Sequence, residues 1–193
     1  MERGMKNLTA SDISRDLSAL MEGFSSGGRL IPSPSRSFKL SAAVPFIATL
    51  LSVIGATLVY LTGYHSQAGL DGILNYFESD GWVFVLPTIV VGAFFTLLTY
   101  NKFILYFSIP KDVRENSVVL NHLKNTATKT VVFFITLMIF STVLSAYSTW
   151  FAFSITGLLF ALLMIGNLLI GLEINRLGAG VALEKIFIFL KKI

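Results

Sequence analysis

The chain has 193 residues, of which 54% are hydrophobic and 13% are charged, with a net charge of +4 and a mean hydropathy of +0.73. An average soluble domain carries about 25% charged residues, so this composition argues against an ordinary soluble protein. Cysteine is absent, which excludes disulfides and thiolate metal sites.

Residues 9–24 have the pattern of a short amphipathic helix. Thr9 and Asp12 have the spacing of a capping box. Apolar residues then recur at helical spacing, namely Ile13, Leu17, Leu20 and Phe24. Such a helix lies on the membrane surface or on the cytoplasmic ends of a bundle, or else it docks a partner.

Residues 23–37 predict a break in regular structure, because glycine and proline recur in them. Arg29, Arg36 and Lys39 lie in or next to this segment and can contact anionic lipid headgroups. Three roles remain open for residues 26–39: a plain linker, a lipid anchor or a recognition element.

Three long segments without a charged residue follow. Leu40–Tyr64 and Gly81–Asn101 each fit one helical crossing of a bilayer. Thr130–Leu172 has 43 residues and would be about 65 Å long as one helix, so it must fold back. Ser145–Trp150 is its most polar part. We therefore predict an all-α polytopic membrane protein with four transmembrane helices, near 41–62, 82–104, 130–147 and 151–172.

The outer loop 65–81 contains another helical pattern. Its apolar residues recur in one stripe, while its acidic residues lie off that stripe. The stripe consists of Leu70, Ile73, Leu74 and Phe77, and the acids are Asp71, Glu78 and Asp80. This pattern predicts an interfacial helix, and the same residues form the largest surface that the chain offers outside the cytoplasm.

The positions of lysine and arginine predict the orientation. Six lie in residues 1–39, five between the second and third spans and four in the tail 173–193, which accounts for all 15. The two other connections have none. By the positive-inside rule, both termini and the loop 105–129 are cytoplasmic. The basic composition thus reflects topology, and we expect no nucleic-acid partner.

The residues that catalysis and ion coupling require are missing. No ionisable residue lies deep in a predicted span, which argues against a secondary transporter. His65 and His122 fall on opposite sides of the bilayer, so they cannot share a metal site or a catalytic triad. A P-loop and the common nucleophile and zinc motifs are also absent. We expect a protein that is not an enzyme, has no catalytic, cofactor or metal site, and acts by contact.

Residues 26–39 contain Ser26-Gly27, Arg29, Ile31-Pro32-Ser33 and Lys39, and a hydrophobic bundle follows them. This arrangement resembles the TraS family, the entry-exclusion proteins of F-type conjugative plasmids. The resembling segment covers 14 residues, and the remaining likeness is in size, polytopic character and basic cytoplasmic segments. The resemblance implies a protein of the inner (cytoplasmic) membrane of a bacterial recipient cell. Such a protein blocks redundant DNA transfer by recognising the donor's mating-pair protein TraG. The family supplies no catalytic residues.

Other functions remain open: a membrane immunity protein against a colicin, an accessory or structural subunit, a small channel or transporter without obvious ionisable sites, and, more remotely, a lipid-modifying enzyme. The bilayer and one protein are the expected partners. A row of small residues on the first span, Ala48, Ser52 and Ala56, fits packing within the chain and a homo-oligomer equally. The recognition candidates are Asp71, Ile73, Phe77, Glu78 and Asp80 on the outer side and Arg29, Ile31, Pro32 and Arg36 on the cytoplasmic side.

Overall fold

The computed structural model describes residues 10–26, 33–63 and 69–177. All regular structure in these ranges is helical. A π-helical turn, Phe77–Gly81, joins the third helix to the fourth without a break. The helices are α1 (Ala10–Ser26), α2 (Pro34–Gly63), α3 (Leu70–Tyr76), α4 (Trp82–Ser108), α5 (Lys111–Asn116), α6 (Val118–Leu144) and α7 (Thr149–Arg176).

Four helices in the described part of the chain are long and apolar enough to span a membrane. They are α2, the continuous helix Leu70–Ser108, α6 and α7. Large apolar side chains are exposed on their outward faces, among them Phe46, Phe94 and Phe140, each at least 60% accessible. Exposed apolar surface on this scale marks a membrane-facing exterior. The predicted all-α polytopic membrane fold is confirmed.

The two ends of the bundle differ in charge. The basic end comprises α1, the start of α2, α5 with its flanking residues and the last turns of α7. The acidic end comprises the last turn of α2, Leu70–Gly81 and the α6–α7 turn. Every described lysine and arginine lies toward the basic end, and the described residues of the acidic end carry only acidic charges.

Several helices extend beyond the predicted spans. Helix α2 begins at Pro34, because proline is well suited to a first helical position. Helix α6 begins at Val118, because Ser117 Oγ accepts a hydrogen bond from the Leu120 N–H (3.1 Å) and caps the helix. Much of the predicted 105–129 loop is therefore helical. The α6–α7 connection, residues 145–148, lies within the segment predicted to fold back.

A chain of hydroxyl groups joins α2, α4 and α7 inside the bundle. Thr88 Oγ1 lies 2.6 Å from Thr156 Oγ1, 3.3 Å from Ser52 Oγ and 3.1 Å from the Phe84 carbonyl oxygen. Ser52 Oγ also donates to the Phe84 carbonyl (3.0 Å). Ser52 and Thr88 are completely buried. Because lipid offers no hydrogen bonds, these groups depend on one another for partners.

Small residues let the helices that carry these hydroxyls approach closely. The row Ala48, Ser52 and Ala56 is completely buried, so within this bundle it serves packing between helices of one chain. A Cβ atom built on Gly92 of α4 would lie 3.0 Å from Pro45 Cβ of α2. The contact between α2 and α4 therefore requires a residue without a side chain at position 92.

We predict that Gly92→Ala destabilises the protein by about 1–3 kcal/mol, the usual cost of adding a methyl group to a packed core. The measurement is the free energy of unfolding in detergent. Gly157→Ala is the control, because nothing lies within 4 Å of a Cβ at that position and alanine favours a helix over glycine by about 0.5–1 kcal/mol. Equal effects of the two substitutions would contradict the packing assigned to Gly92.

Candidate partner-recognition surfaces

The acidic end carries three acidic side chains, Asp71, Glu78 and Asp80, which we together call the acidic surface. All three side chains are exposed. Asp71 lies in the first turn of α3, and Glu78 and Asp80 lie on the π turn. In the described residues no ion pair involves any of them, so their charges are available to a partner.

Aromatic packing fixes the helical segment that carries the acidic surface. Tyr76 is buried, and its ring centroid lies 5.2 Å from that of Tyr60 on α2. A Cβ on Gly81 would lie 3.0 Å from Phe77 Cδ1 and 3.1 Å from Tyr76 Cε1. Trp82 Nε1 donates to the Ser79 carbonyl (2.9 Å) across the π turn. The acidic surface is therefore a rigid extension of α4.

The predicted apolar stripe of the outer segment is divided by this packing. Ile73 and Phe77 are half-buried against the cluster around Tyr76, whereas Leu70 and Leu74 are 81% and 62% exposed. Ile73 and Phe77 are predicted recognition residues, and their half-buried side chains also pack α3 against the bundle. Leu70 and Leu74 offer the larger apolar contact.

Of the candidates predicted on the cytoplasmic side, the structure describes Arg36, which lies at the basic end of the bundle. Arg36 is exposed on the first turn of α2, and its Cζ atom lies 4.8 Å from the centroid of the Phe107 ring. Arg29, Ile31 and Pro32 lie outside the described residues. Arg36 and the outer candidates therefore do not form one site.

Helix α1 packs on the basic end of the bundle. Its Leu17 and Leu20 are buried together with Ile109, Val119 and Leu120. Ile13, Leu17 and Leu20 of the predicted apolar face are thus covered by the chain itself, and the side chain of Phe24 lies outside the described residues. Of the positions left open by the sequence, the end of the bundle is the one observed.

One carboxylate fixes α1 to the start of α6. Asp16 Oδ2 accepts hydrogen bonds from Ser117 Oγ (2.8 Å) and from the Val119 backbone N–H (3.1 Å). A negative charge at a helix N-terminus also interacts favourably with the helix dipole. Asp16 and Ser117 therefore cap α6 together, although 101 positions separate them.

Other polar contacts at the basic end join the remaining helices. Glu173 of α7 lies 3.4 Å from His122 Nε2 of α6 and 3.4 Å from Arg176 Nη1. Lys102 of α4 donates to Asn167 Oδ1 of α7. The His122 and Lys102 contacts cross-link helices, whereas the Arg176 contact lies within α7. Among the described residues, no group of three or more histidine, aspartate or glutamate side chains is placed to hold a metal ion.

The sequence contains a signal for only part of this arrangement. A serine directly before an apolar run, as at Ser117, is a typical N-cap. No local pattern assigns Asp16 to that cap or places Arg36 over Phe107, because each contact joins residues that are far apart in the sequence.

Comparison of the chain with models of known families, with curated proteins and with solved structures gives no match. The proposed function therefore depends on the chemistry of the two ends of the bundle.

We predict that Asp16→Ala loosens α1 from the bundle, because it removes two hydrogen bonds at the start of α6. Loss of a capping side chain lowers stability by about 1 kcal/mol. Amide hydrogen exchange in α1 should therefore become about fivefold faster for the amides that exchange through local opening of the helix. Arg15→Ala, an exposed neighbour on the same helix, should leave exchange unchanged. Unchanged protection in Asp16→Ala would refute the capping role.

Proposed function

We propose that this chain is an inner-membrane entry-exclusion protein that blocks redundant conjugative DNA transfer by recognising the donor's TraG protein. The membrane-spanning fold is compatible with this role, and the resemblance of residues 26–39 to the TraS family supplies the specific activity. The structural observation that carries the proposal is the acidic surface, which is exposed, rigidly held at one end of the bundle and without an ion pair to any described residue.

The proposed orientation places the basic end in the cytoplasm and the acidic surface in the periplasm. The positive-inside rule is the basis for this assignment, and the separation of charge between the two ends of the bundle agrees with it. In this orientation the acidic surface faces the side from which a donor's protein would arrive.

The chemistry of the acidic surface suits recognition of another protein. Unpaired charges at the rim of an interface speed association and discriminate between partners. Exposed apolar side chains can supply the buried contact that carries most of the affinity, and Leu70 and Leu74 lie on the same helical segment. Specificity for one donor would thus come from the charges, and affinity from the two leucines.

No catalytic step is part of this proposal. The chain would act as a barrier through binding alone, in keeping with the expectation that it is not an enzyme. An immunity protein against a colicin would also act by contact from the inner membrane, and the mating experiment below separates the two functions.

We predict that recipients expressing this chain receive one F-type plasmid at a sharply reduced frequency and its relatives at the normal frequency. The measurement is conjugation frequency from donors that carry different F-type plasmids. Unchanged frequencies for every donor, with the protein present in the membrane, would refute entry exclusion and would favour the immunity function, which a colicin-survival assay then tests.

A triple variant of the acidic surface, Asp71→Asn, Glu78→Gln and Asp80→Asn, should weaken exclusion of the recognised plasmid because the charges that select the donor protein are removed. The matched control neutralises three exposed acids of the basic end, Glu22→Gln, Asp112→Asn and Glu115→Gln, and should exclude as the wild type does. Full exclusion by the first variant would show that the acidic surface is not the recognition site.

A further inference from the structure

Two arginines from different helices meet at one aromatic ring at the basic end. The Cζ atoms of Arg36 in α2 and Arg114 in α5 lie 4.8 and 5.1 Å from the centroid of Phe107. The two guanidinium carbons therefore lie within about 10 Å of each other. Arg114 Cζ also lies 4.9 Å from the Tyr106 centroid. We call Arg36, Arg114, Tyr106 and Phe107 the arginine–aromatic cluster.

The two guanidinium groups of the cluster carry positive charge and hydrogen-bond donors that no described residue uses. Within the described residues, neither guanidinium forms an ion pair or donates a hydrogen bond. Attraction to the ring face positions each cation, but it leaves the five N–H donors of a guanidinium without an acceptor. Two positive charges within about 10 Å repel each other, and an anion near both would reduce that repulsion.

The cluster lies at the depth of lipid headgroups. At the basic end, the charge-free segments of α2 and α4 stop at Lys39 and Lys102. Arg36 and Phe107 lie three and five residues farther along these helices, which is about 4.5 and 7.5 Å at 1.5 Å per residue. The headgroup region on each side of the hydrocarbon core is about 5–7 Å thick.

An open groove adjoins Arg36 and provides space for a headgroup. Its volume is about 420 Å³, and it is lined by Ser33, Ser35, Arg36, Lys39 and Leu40. Helix α2 begins at this groove, so the positive end of its dipole adds to the attraction for an anion. Lys39 is exposed and forms no ion pair in the described residues, while Leu40 begins the apolar surface along which an acyl chain can lie.

We propose that the arginine–aromatic cluster and this groove bind the phosphate-bearing headgroup of an acidic phospholipid. Arginine is the residue best suited to phosphate, because its planar donor set contacts two oxygens at once. Arg36 and Lys39 bind the headgroup from α2, and Arg114 binds it from α5. The bound lipid thereby joins the start of the first spanning helix to the connection between the second and third.

The test is the thermal unfolding midpoint of the full chain in a zwitterionic detergent, titrated with phosphatidylglycerol. A ligand that binds only the folded state raises this midpoint, so a saturable rise is expected. Phosphatidylcholine at equal mole fraction and inorganic phosphate at equal concentration should produce no comparable rise. An equal rise with phosphatidylcholine would refute selection of acidic lipid, and an equal rise with inorganic phosphate would refute a lipid as the ligand.

The variant Arg36→Gln with Arg114→Gln should weaken the apparent affinity for phosphatidylglycerol by about tenfold or more, because each basic residue near a membrane surface contributes about a fivefold factor in affinity. Arg15→Gln with Lys124→Gln removes two exposed charges from the same end and should change the affinity less than threefold. A loss below threefold in the first variant, or an equal loss in both, would overturn the proposal. The comparison of lipids on the wild-type chain decides the question even if a variant fails to fold.

Discussion

The inability of lipid to form hydrogen bonds is the constraint on which this bundle depends. Polar groups inside it are stabilised by a partner on a neighbouring helix or on their own backbone, and among the described buried side chains Ser37 Oγ at the start of α2 is the exception. Thr88 finds partners by contacting Ser52 and Thr156 at once, which links three of the four spanning helices. Each such contact contributes only about 0.6–2 kcal/mol, but it also fixes which faces of the helices meet. The close approach at Gly92 and Pro45 then follows from the same alignment.

The same constraint drives ionisable groups to the two ends, where they are fixed by different means. At the acidic end, the rings of Tyr60 and Tyr76 pack between α2 and α3, and the carboxylates stay exposed. At the basic end, α1 is held by apolar contacts and by Asp16 at the start of α6. We therefore propose that the rigid acidic surface binds a protein and that the basic surface at the other end binds lipid. The contact function and the lipid site are proposals about separate surfaces, so failure of one leaves the other standing.

Sequence patterns predicted the features that depend on neighbouring residues. Charge-free runs of the right length predicted four spanning helices, and Ser145–Trp150 was the polar interruption in the longest run. The patterns did not show that α3 continues into α4, because the π turn depends on how Tyr76 and Phe77 pack around Gly81. Contacts such as Asp16 with Ser117, or Arg36 with Phe107, arise only when helices far apart in the sequence are brought together. The recognition candidates are residues for which the sequence predicts exposure. The three acids are exposed, whereas Ile73 and Phe77 are half-buried.

The orientation of the bundle is the central claim, since recognition of a donor protein requires the acidic surface to face the periplasm. The chain has no cysteine, so single substitutions at two exposed positions, Glu78→Cys and Lys124→Cys, give labels without background. The measurement is reaction with a maleimide that crosses the outer membrane but not the inner membrane of intact cells. Labelling of Glu78→Cys in intact cells, with labelling of Lys124→Cys only after the inner membrane is permeabilised, is the predicted result. The reverse pattern would place the acidic surface in the cytoplasm and contradict the account.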